Sequence, residues 1–220
     1  SQIELRIMAE LSQDENMLEA FRLGHDIHKA TAAKVYGLSL EEVTSDQRRN
    51  AKAVNFGIIY GQSAFGLSQN LGISRKEAAE IITQYFNQYH GIKDYMSRCI
   101  ESAKENGYVE TILKRRRYLR DINSANMTIR GFAERNAINA PIQGSAADMI
   151  KVAMINIQND IKAHKLKGMM IMQVHDELVF DVPKDEIAIF KEIISNRMKT
   201  AIEFSVPLEI EIGEGNNWLE

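Results

Sequence analysis

Met169-Met170-Ile171-Met172-Gln173-Val174-His175-Asp176-Glu177-Leu178-Val179-Phe180-Asp181-Val182 is the stretch that decides the fold class. Met169 to Val174 and Leu178 to Val182 are compact apolar runs of strand length, separated by His175-Asp176-Glu177. Two such runs around a polar tip predict a hairpin. Upstream, the chain reads as helix almost throughout. Residues 1–140 contain no proline, and their apolar residues recur at helical spacing. Helices are expected at about 3–12, 14–23, 26–36, 46–60, 63–71, 74–89 and 91–106. Thr44 or Ser45 can cap the fourth, and Ser74 with Glu77 three residues on makes a capping box for the sixth.

Gly107-Tyr108-Val109-Glu110-Thr111-Ile112 ends that helical run and reads as a short strand, with Tyr118-Leu119 as its partner across a basic turn. A long helix follows at about 125–165, bent or interrupted at Pro141, whose ring removes a backbone donor. Beyond the central hairpin, residues 184–202 return to helical spacing, with Ile187, Phe190, Ile194 and Met198 on one face. Leu208-Glu209-Ile210-Glu211-Ile212 alternates with period two, which predicts a half-buried strand. The sum is an α+β chain: a helix-rich part, then a small antiparallel sheet with packed helices.

Length and composition bound the rest. At 220 residues the chain makes about one to one and a half domains. Its 45% hydrophobic and 26% charged content is that of a globular protein, not a disordered one. No apolar run approaches membrane-spanning length. Cys99 is the sole cysteine, so an internal disulfide is excluded and a reducing cytoplasm is the expected setting. The first residues show no signal-peptide pattern and no initial Met, as expected of a fragment or a processed product. Net charge is −3, so phosphate binding would have to come from local clusters.

Four such clusters stand out. Arg48, Lys52, Phe56 and Tyr60 are four residues apart and so lie on one slowly turning stripe of their helix, while Ala51, Val54 and Ile58 occupy another face suited to the core. Two cations followed by two rings suit a nucleoside triphosphate: charge for the phosphates, a flat face for the base. Gly57 and Gly61 fit a close backbone approach there. The same spacing also serves if Phe56 and Tyr60 widen the apolar face and the cations are solvated. Asp176 and Glu177 on a stiff tip suit a hard divalent cation, although acidic turn residues more often only solvate a turn. His175 has no partner at metal spacing. Lys114, Arg115, Arg116, Arg117 and Arg120 form an anion-binding patch or a solvated basic loop. Arg135, Asn139 and Gln143, again four apart, can donate to base edges and sugars or cap neighbouring elements.

Taken together, these segments resemble the family A DNA polymerases of the bacterial polymerase I type. Ser1-Gln2-Ile3-Glu4-Leu5-Arg6 is similar to part of that family's first motif, and Arg48 to Gly61 to its nucleotide-binding helix. Gln173-Val174-His175-Asp176-Glu177 is similar to its third motif. Asp26-Ile27-His28 and Asn139-Ala140-Pro141-Ile142-Gln143-Gly144 extend the likeness between motifs. The resemblance implies a truncated palm at residues 1–11, a fingers subdomain at 12–125 and palm again at 126–220. It implies that Arg48, Lys52 and His28 hold the triphosphate, and that Lys52 protonates the leaving pyrophosphate. Phe56 would pack on sugar and base and disfavour dideoxynucleotides. Tyr60 would sit at the insertion site, and Glu4 would crowd the sugar 2′ position. Arg135, Asn139 and Gln143 would contact primer-template DNA and His175 the primer terminus, with Arg115 and Arg116 also DNA-binding. Asp176 would ligate two Mg²⁺ ions with Glu177 in support. The implied partners are primer-template DNA and deoxynucleoside triphosphates, with no membrane and a monomeric state; the implied setting is the bacterial cytoplasm, at the nucleoid.

Two departures accompany the likeness. The family's first motif begins with a metal-binding aspartate two residues before the serine that Ser1 matches, ahead of the present chain. On that ground the 220 residues alone are expected to be inactive, with palm strands absent and apolar surface exposed. Many members also carry a glycine and a proline where this chain has Lys114 and Arg120. A non-catalytic nucleotide- or DNA-binding module is the alternative reading, and a helical interaction protein with coincidental motifs a third.

Overall fold

A computed structural model describes residues 2–217. Ser1, and the last three residues of the expected second palm segment, lie outside the described residues. Seven helices come first: α1 Gln2–Ser12, α2 Glu15–Arg22, α3 Ile27–Tyr36, α4 Ser45–Ile59, α5 Ala64–Leu71, α6 Arg75–Gln88 and α7 His90–Asn106. Their starts follow local chemistry. Thr44 caps α4 and Ser74 caps α6, each in a reciprocal box with Gln47 or Glu77. Asp14 caps two helices at once. Its Oδ1 accepts from the Met17 amide of α2 and its Oδ2 from the Gly91 amide of α7, at 3.0 and 2.9 Å. A Cβ on Gly91 would lie 2.9 Å from the Asp14 Cα, so only glycine allows α7 to dock this closely.

Strands β1 Tyr108–Glu110 and β2 Arg116–Tyr118 form the first antiparallel pair, with Tyr108 opposite Tyr118. Helix α8 then runs unbroken from Met127 to Ala163, through Pro141. The expected interruption does not occur. Pro141 forgoes one backbone hydrogen bond, but Ala137, Ile138, Ala140 and Ile142 around it are all buried, and this packing carries the helix past the gap.

The deciding hairpin is present. Strand β3 Met169–Val174 pairs antiparallel with β4 Glu177–Asp181, Val174 lying opposite Glu177. The turn is therefore His175–Asp176 alone, one residue shorter than the sequence suggested. His175 has φ 53°, the left-handed conformation that two-residue hairpin turns require and that residues other than glycine adopt at a cost. The Gln173 side-chain amide donates to the His175 carbonyl at 2.9 Å and braces the turn. The chain continues as a 3₁₀ turn, Lys184–Glu186, and helix α9, Ile187–Lys199.

The strand expected at 208–212 is absent. Its alternation does reflect one-sided contact, since Leu208 and Ile210 pack on apolar clusters. Among the described residues, however, nothing pairs with its backbone, and both sheets have two strands only. A period-two pattern marks a face; a strand also needs a neighbour.

The main core lies between α1, α2, α3, α4, α6 and α7, around Met8, Phe21, Ile59, Tyr85, Tyr89 and Ile92. A smaller one joins α7, β1 and α8 through Ala103, Val109 and Ala137. A third seats α9 on α8 and the second hairpin through Ile157, Phe190 and Ile194. Strand β3 leaves Met169, Ile171 and Met172 exposed.

Candidate nucleotide and nucleic-acid site

Helix α4 presents the two faces read from its spacing. Ala51, Val54 and Ile58 are buried, while Arg48, Lys52 and Tyr60 are exposed and Phe56 half-buried. Phe56 stacks on Tyr60 with centroids 6.4 Å apart and meets His28 at 5.8 Å. Both Nε and an Nη of Arg48 donate to the Asp26 Oδ2, at 2.9 and 2.7 Å. The Asp26 Oδ1 caps α3 by accepting the His28 and Lys29 amides. One carboxylate thus fixes Arg48 against the helix start that carries His28. Lys52 makes no ion pair among the described residues, so its charge faces solvent unneutralised.

His28 is buried, and burial pushes its imidazole down to about 4, with nearby Arg48 and Lys52 lowering it further and Asp26 opposing. The folded protein therefore holds a neutral ring at pH 7. An unfolded histidine titrates near 6.5, so between these two values the unfolded chain binds the extra proton. Stability from this group is present above pH 6.5 and is lost as pH falls toward 4. We expect a loss on the order of 2 kcal/mol across that window, read by chemical denaturation at pH 7 and pH 4.5. A His28→Asn variant should show a flatter profile; an unchanged slope would remove His28 as the source.

At the far end of the stripe, the Tyr60 hydroxyl donates to the Glu4 Oε2 at 2.7 Å. Burial and the Glu4 carboxylate push the phenol up to about 12, so it stays a donor. Gln143 on α8 reaches the same hydroxyl. Gly61, at φ 65°, lets Arg135 cross the end of α4: a Cβ there would lie 2.8 Å from the Arg135 Cγ. Gly57 likewise makes room for the Gln62 side chain. The close approach read from these two glycines is thus made by the protein itself.

Glu4, Tyr60 and Gln143 line one cleft with His175, Asp176 and Glu177 of the hairpin tip, a space of ≈ 1550 Å³. Four stretches far apart in sequence meet there. The tip's carboxylates are exposed hard oxygen donors, the kind Mg²⁺ takes while keeping water and phosphate ligands. No three His, Cys, Asp or Glu side chains among the described residues form a closed metal cage. The donor set fits an open site completed by other ligands.

The basic turn is less free than its charge suggested. The Arg115 Nε pairs with Asp148 at 2.8 Å, and its Nη donates to the Gly144 carbonyl. Thr111 donates to the other Asp148 oxygen at 2.6 Å. Arg116 pairs with Glu110 at 2.9 Å and lies over the Tyr108 ring. Arg117 and Arg120 make no ion pair among the described residues. Arg115 and Arg116 keep about half their surface exposed, so a phosphate can still reach them. Of the amide stripe, Arg135 and Gln143 are exposed, whereas the Asn139 Oδ1 is buried without a partner among the described residues. Asp148 and Asn55 escaped the sequence reading. Asn55 follows Ala51 by four residues, and a polar residue on a core face was the available signal.

Comparison with known proteins gives a consistent result. The family model described as "DNA polymerase family A" matches residues 1–220. DNA polymerase I of Streptococcus pneumoniae serotype 4 is 53% identical over 221 residues, which is all of this chain and 25% of that protein. DNA polymerase I of Bacillus subtilis strain 168 is 50% identical over 220 residues, again 25% of its length. The chain therefore spans about a quarter of these relatives. Among solved structures, the POL domain of Pol1 from M. smegmatis in complex with DNA primer-template and dNTP superposes with TM-score 0.95 at 45% identity. That match covers 99% of this chain and 38% of the other.

Proposed function

Because the chain belongs to DNA polymerase family A, we propose that it is the fingers and part of the palm of a DNA-directed DNA polymerase acting in replication and repair. Residues 12–125 are the fingers, and residues 1–11 and 126–220 belong to the palm. The whole enzyme extends a primer: its 3′-hydroxyl attacks the α-phosphate of a deoxynucleoside triphosphate and pyrophosphate leaves. The observation that carries this reading is the cleft shared by Glu4, Tyr60, Gln143 and the Asp176-Glu177 tip, with Tyr60 at the end of the helix that carries Arg48 and Lys52.

In this reading Arg48, Lys52 and His28 hold the phosphates, and Lys52, the unpaired cation, hands a proton to the leaving group. Phe56 and Tyr60 receive sugar and base. Glu4, held by the Tyr60 hydroxyl, stands where a 2′-hydroxyl would have to fit. Arg135, Asn139, Gln143, His175, Arg115 and Arg116 face the primer-template, with Asp148 bracing Arg115. Asp176 holds Mg²⁺ with Glu177 beside it, and two such ions, when bound, compensate charge on the attacking and leaving oxygens. The protein acts as a monomer in the bacterial cytoplasm, at the nucleoid. No helix among the described residues is long and apolar enough to cross a membrane.

The test is the affinity of the folded chain for a deoxynucleoside triphosphate with Mg²⁺, compared with the corresponding nucleoside. Phosphate-dependent binding that weakens in Arg48→Ala and in Lys52→Ala is expected. A folded chain that binds both ligands equally would sink the reading. The 220 residues alone, with Asp176 as the metal carboxylate, should incorporate no more nucleotide on a primed template than their Lys52→Ala variant. Incorporation clearly above that level would overturn this part of the proposal.

A further inference from the structure

Behind the phosphate-facing end of α4 lies a buried polar chain that the proposed reaction leaves unused. The Asn55 Nδ2 lies 3.1 Å from the His28 Nδ1 and 3.1 Å from the Thr31 Oγ1. The Thr31 Oγ1 donates to the Ile27 carbonyl at 2.8 Å and lies 3.2 Å from the Tyr89 hydroxyl. Asn55, Thr31 and Tyr89 are fully buried, and His28 nearly so. Water cannot substitute for any of these partners, so donors and acceptors have to match within the protein.

That requirement limits the direction each bond can take. A threonine hydroxyl has one hydrogen and two lone pairs. Its hydrogen has two acceptors in reach, the Ile27 carbonyl at 2.8 Å and the Asn55 Oδ1 at 3.2 Å, and its oxygen accepts from the Asn55 Nδ2 at 3.1 Å. The Asn55 Nδ2 lies within reach of both Thr31 and His28, and an amide nitrogen only donates, so its second hydrogen points at the His28 Nδ1. Nδ1 has to be the bare, accepting nitrogen, and the ring proton resides on Nε2. A neutral ring with Nδ1 engaged keeps a single donor, Nε2–H.

We propose that Asn55 is a positioning residue for the triphosphate site, holding His28 as the neutral Nε2–H tautomer so that the ring has one outward donor and no competing tautomer. The proposal rests on the assignment of His28 to the phosphates made above. The two supports of His28 are then complementary. Asp26 accepts its backbone amide and ties it to Arg48, while Asn55 fixes its ring. Thr31 and Tyr89 orient Asn55 from behind, joining α3 and α4 to the junction between α6 and α7.

The direct test needs no variant. ¹⁵N chemical shifts of the His28 ring in the folded chain should show a protonated Nε2 and a bare Nδ1; a protonated Nδ1 overturns the proposal. The functional test is a double-mutant cycle on affinity for deoxyadenosine triphosphate with Mg²⁺. Asn55→Leu should weaken binding about tenfold, as for loss of a hydrogen bond to a charged group. In a His28→Ala background the same change should have almost no effect. An equal loss in both backgrounds would mean that Asn55 does not act through His28, and the proposal falls. If Asn55→Leu does not fold, the ring shifts of the unaltered chain decide. An Nε2–H ring in a chain that binds no triphosphate would uphold the control of His28 by Asn55 and overturn the phosphate assignment instead.

Discussion

Asp14→Ala is expected to lower the unfolding free energy by about 3 kcal/mol. Asp14 is 4% exposed, and no cation pairs with it among the described residues. Its carboxylate is held instead by two helix N-termini, accepting the Met17 amide of α2 and the Gly91 amide of α7. Both helices direct the positive ends of their dipoles toward it. Alanine would leave two helix-start amides without acceptors in a place water cannot easily enter, which is why the cost exceeds that of an ordinary surface cap. Asp14→Asn keeps one oxygen acceptor and should cost roughly half as much. Denaturant unfolding of the three proteins at pH 7 separates these cases. Equal stability for Asp14→Ala and the parent chain would show that the double cap contributes nothing net.

Lys52→Ala should weaken binding of a deoxynucleoside triphosphate by about tenfold to a hundredfold, and Arg48→Ala by distinctly less. Both cations lie on the same stripe, but their starting states differ. Arg48 is already satisfied by two hydrogen bonds to Asp26, so a phosphate gains its charge only at the expense of that pair. Lys52 gives up no ion-pair partner among the described residues. The pair also supplies a third arm. Asp26→Asn retains a cap acceptor for the His28 and Lys29 amides while removing the charge that holds Arg48. Triphosphate affinity should then rise severalfold, more at low salt than at high. Calorimetric titration of the four proteins at two ionic strengths reads the order directly. A larger loss for Arg48→Ala than for Lys52→Ala would show that the Asp26 pair breaks at no cost, or that Lys52 does not reach the phosphates.

The starts of α4 and α6 were legible because Thr44, Ser74 and Glu77 act within one turn of chain. The two faces of α4 and the hairpin at 169–182 were legible because periodicity and apolar runs are local properties, and a buried face imposes them wherever it occurs. The order of the motifs was likewise written in the chain, and with it the family. The misreadings share one cause. Pro141 admitted a break as well as a bend because the sequence does not display the packing that offsets one lost bond. Residues 208–212 looked like a strand because alternation records a face and not a partner.

The same division runs through the site. Residue types and spacing identified the cationic and aromatic stripe on α4 and the acidic tip at 176–177. Folding decided which charges are available. Asp26 and Arg48 are separated by 22 residues and Asp148 and Arg115 by 33, and neither pairing leaves a trace in local pattern. Folding also made one cleft of residues 4, 60, 143 and 175–177, and set the ring of His28 through Asn55, 27 residues away. A hydrogen bond or ion pair between distant residues depends on where the whole chain brings its ends, so it exists only once the core has closed. Helix phase and turn chemistry depend on neighbours within a few residues, and these the sequence carries openly.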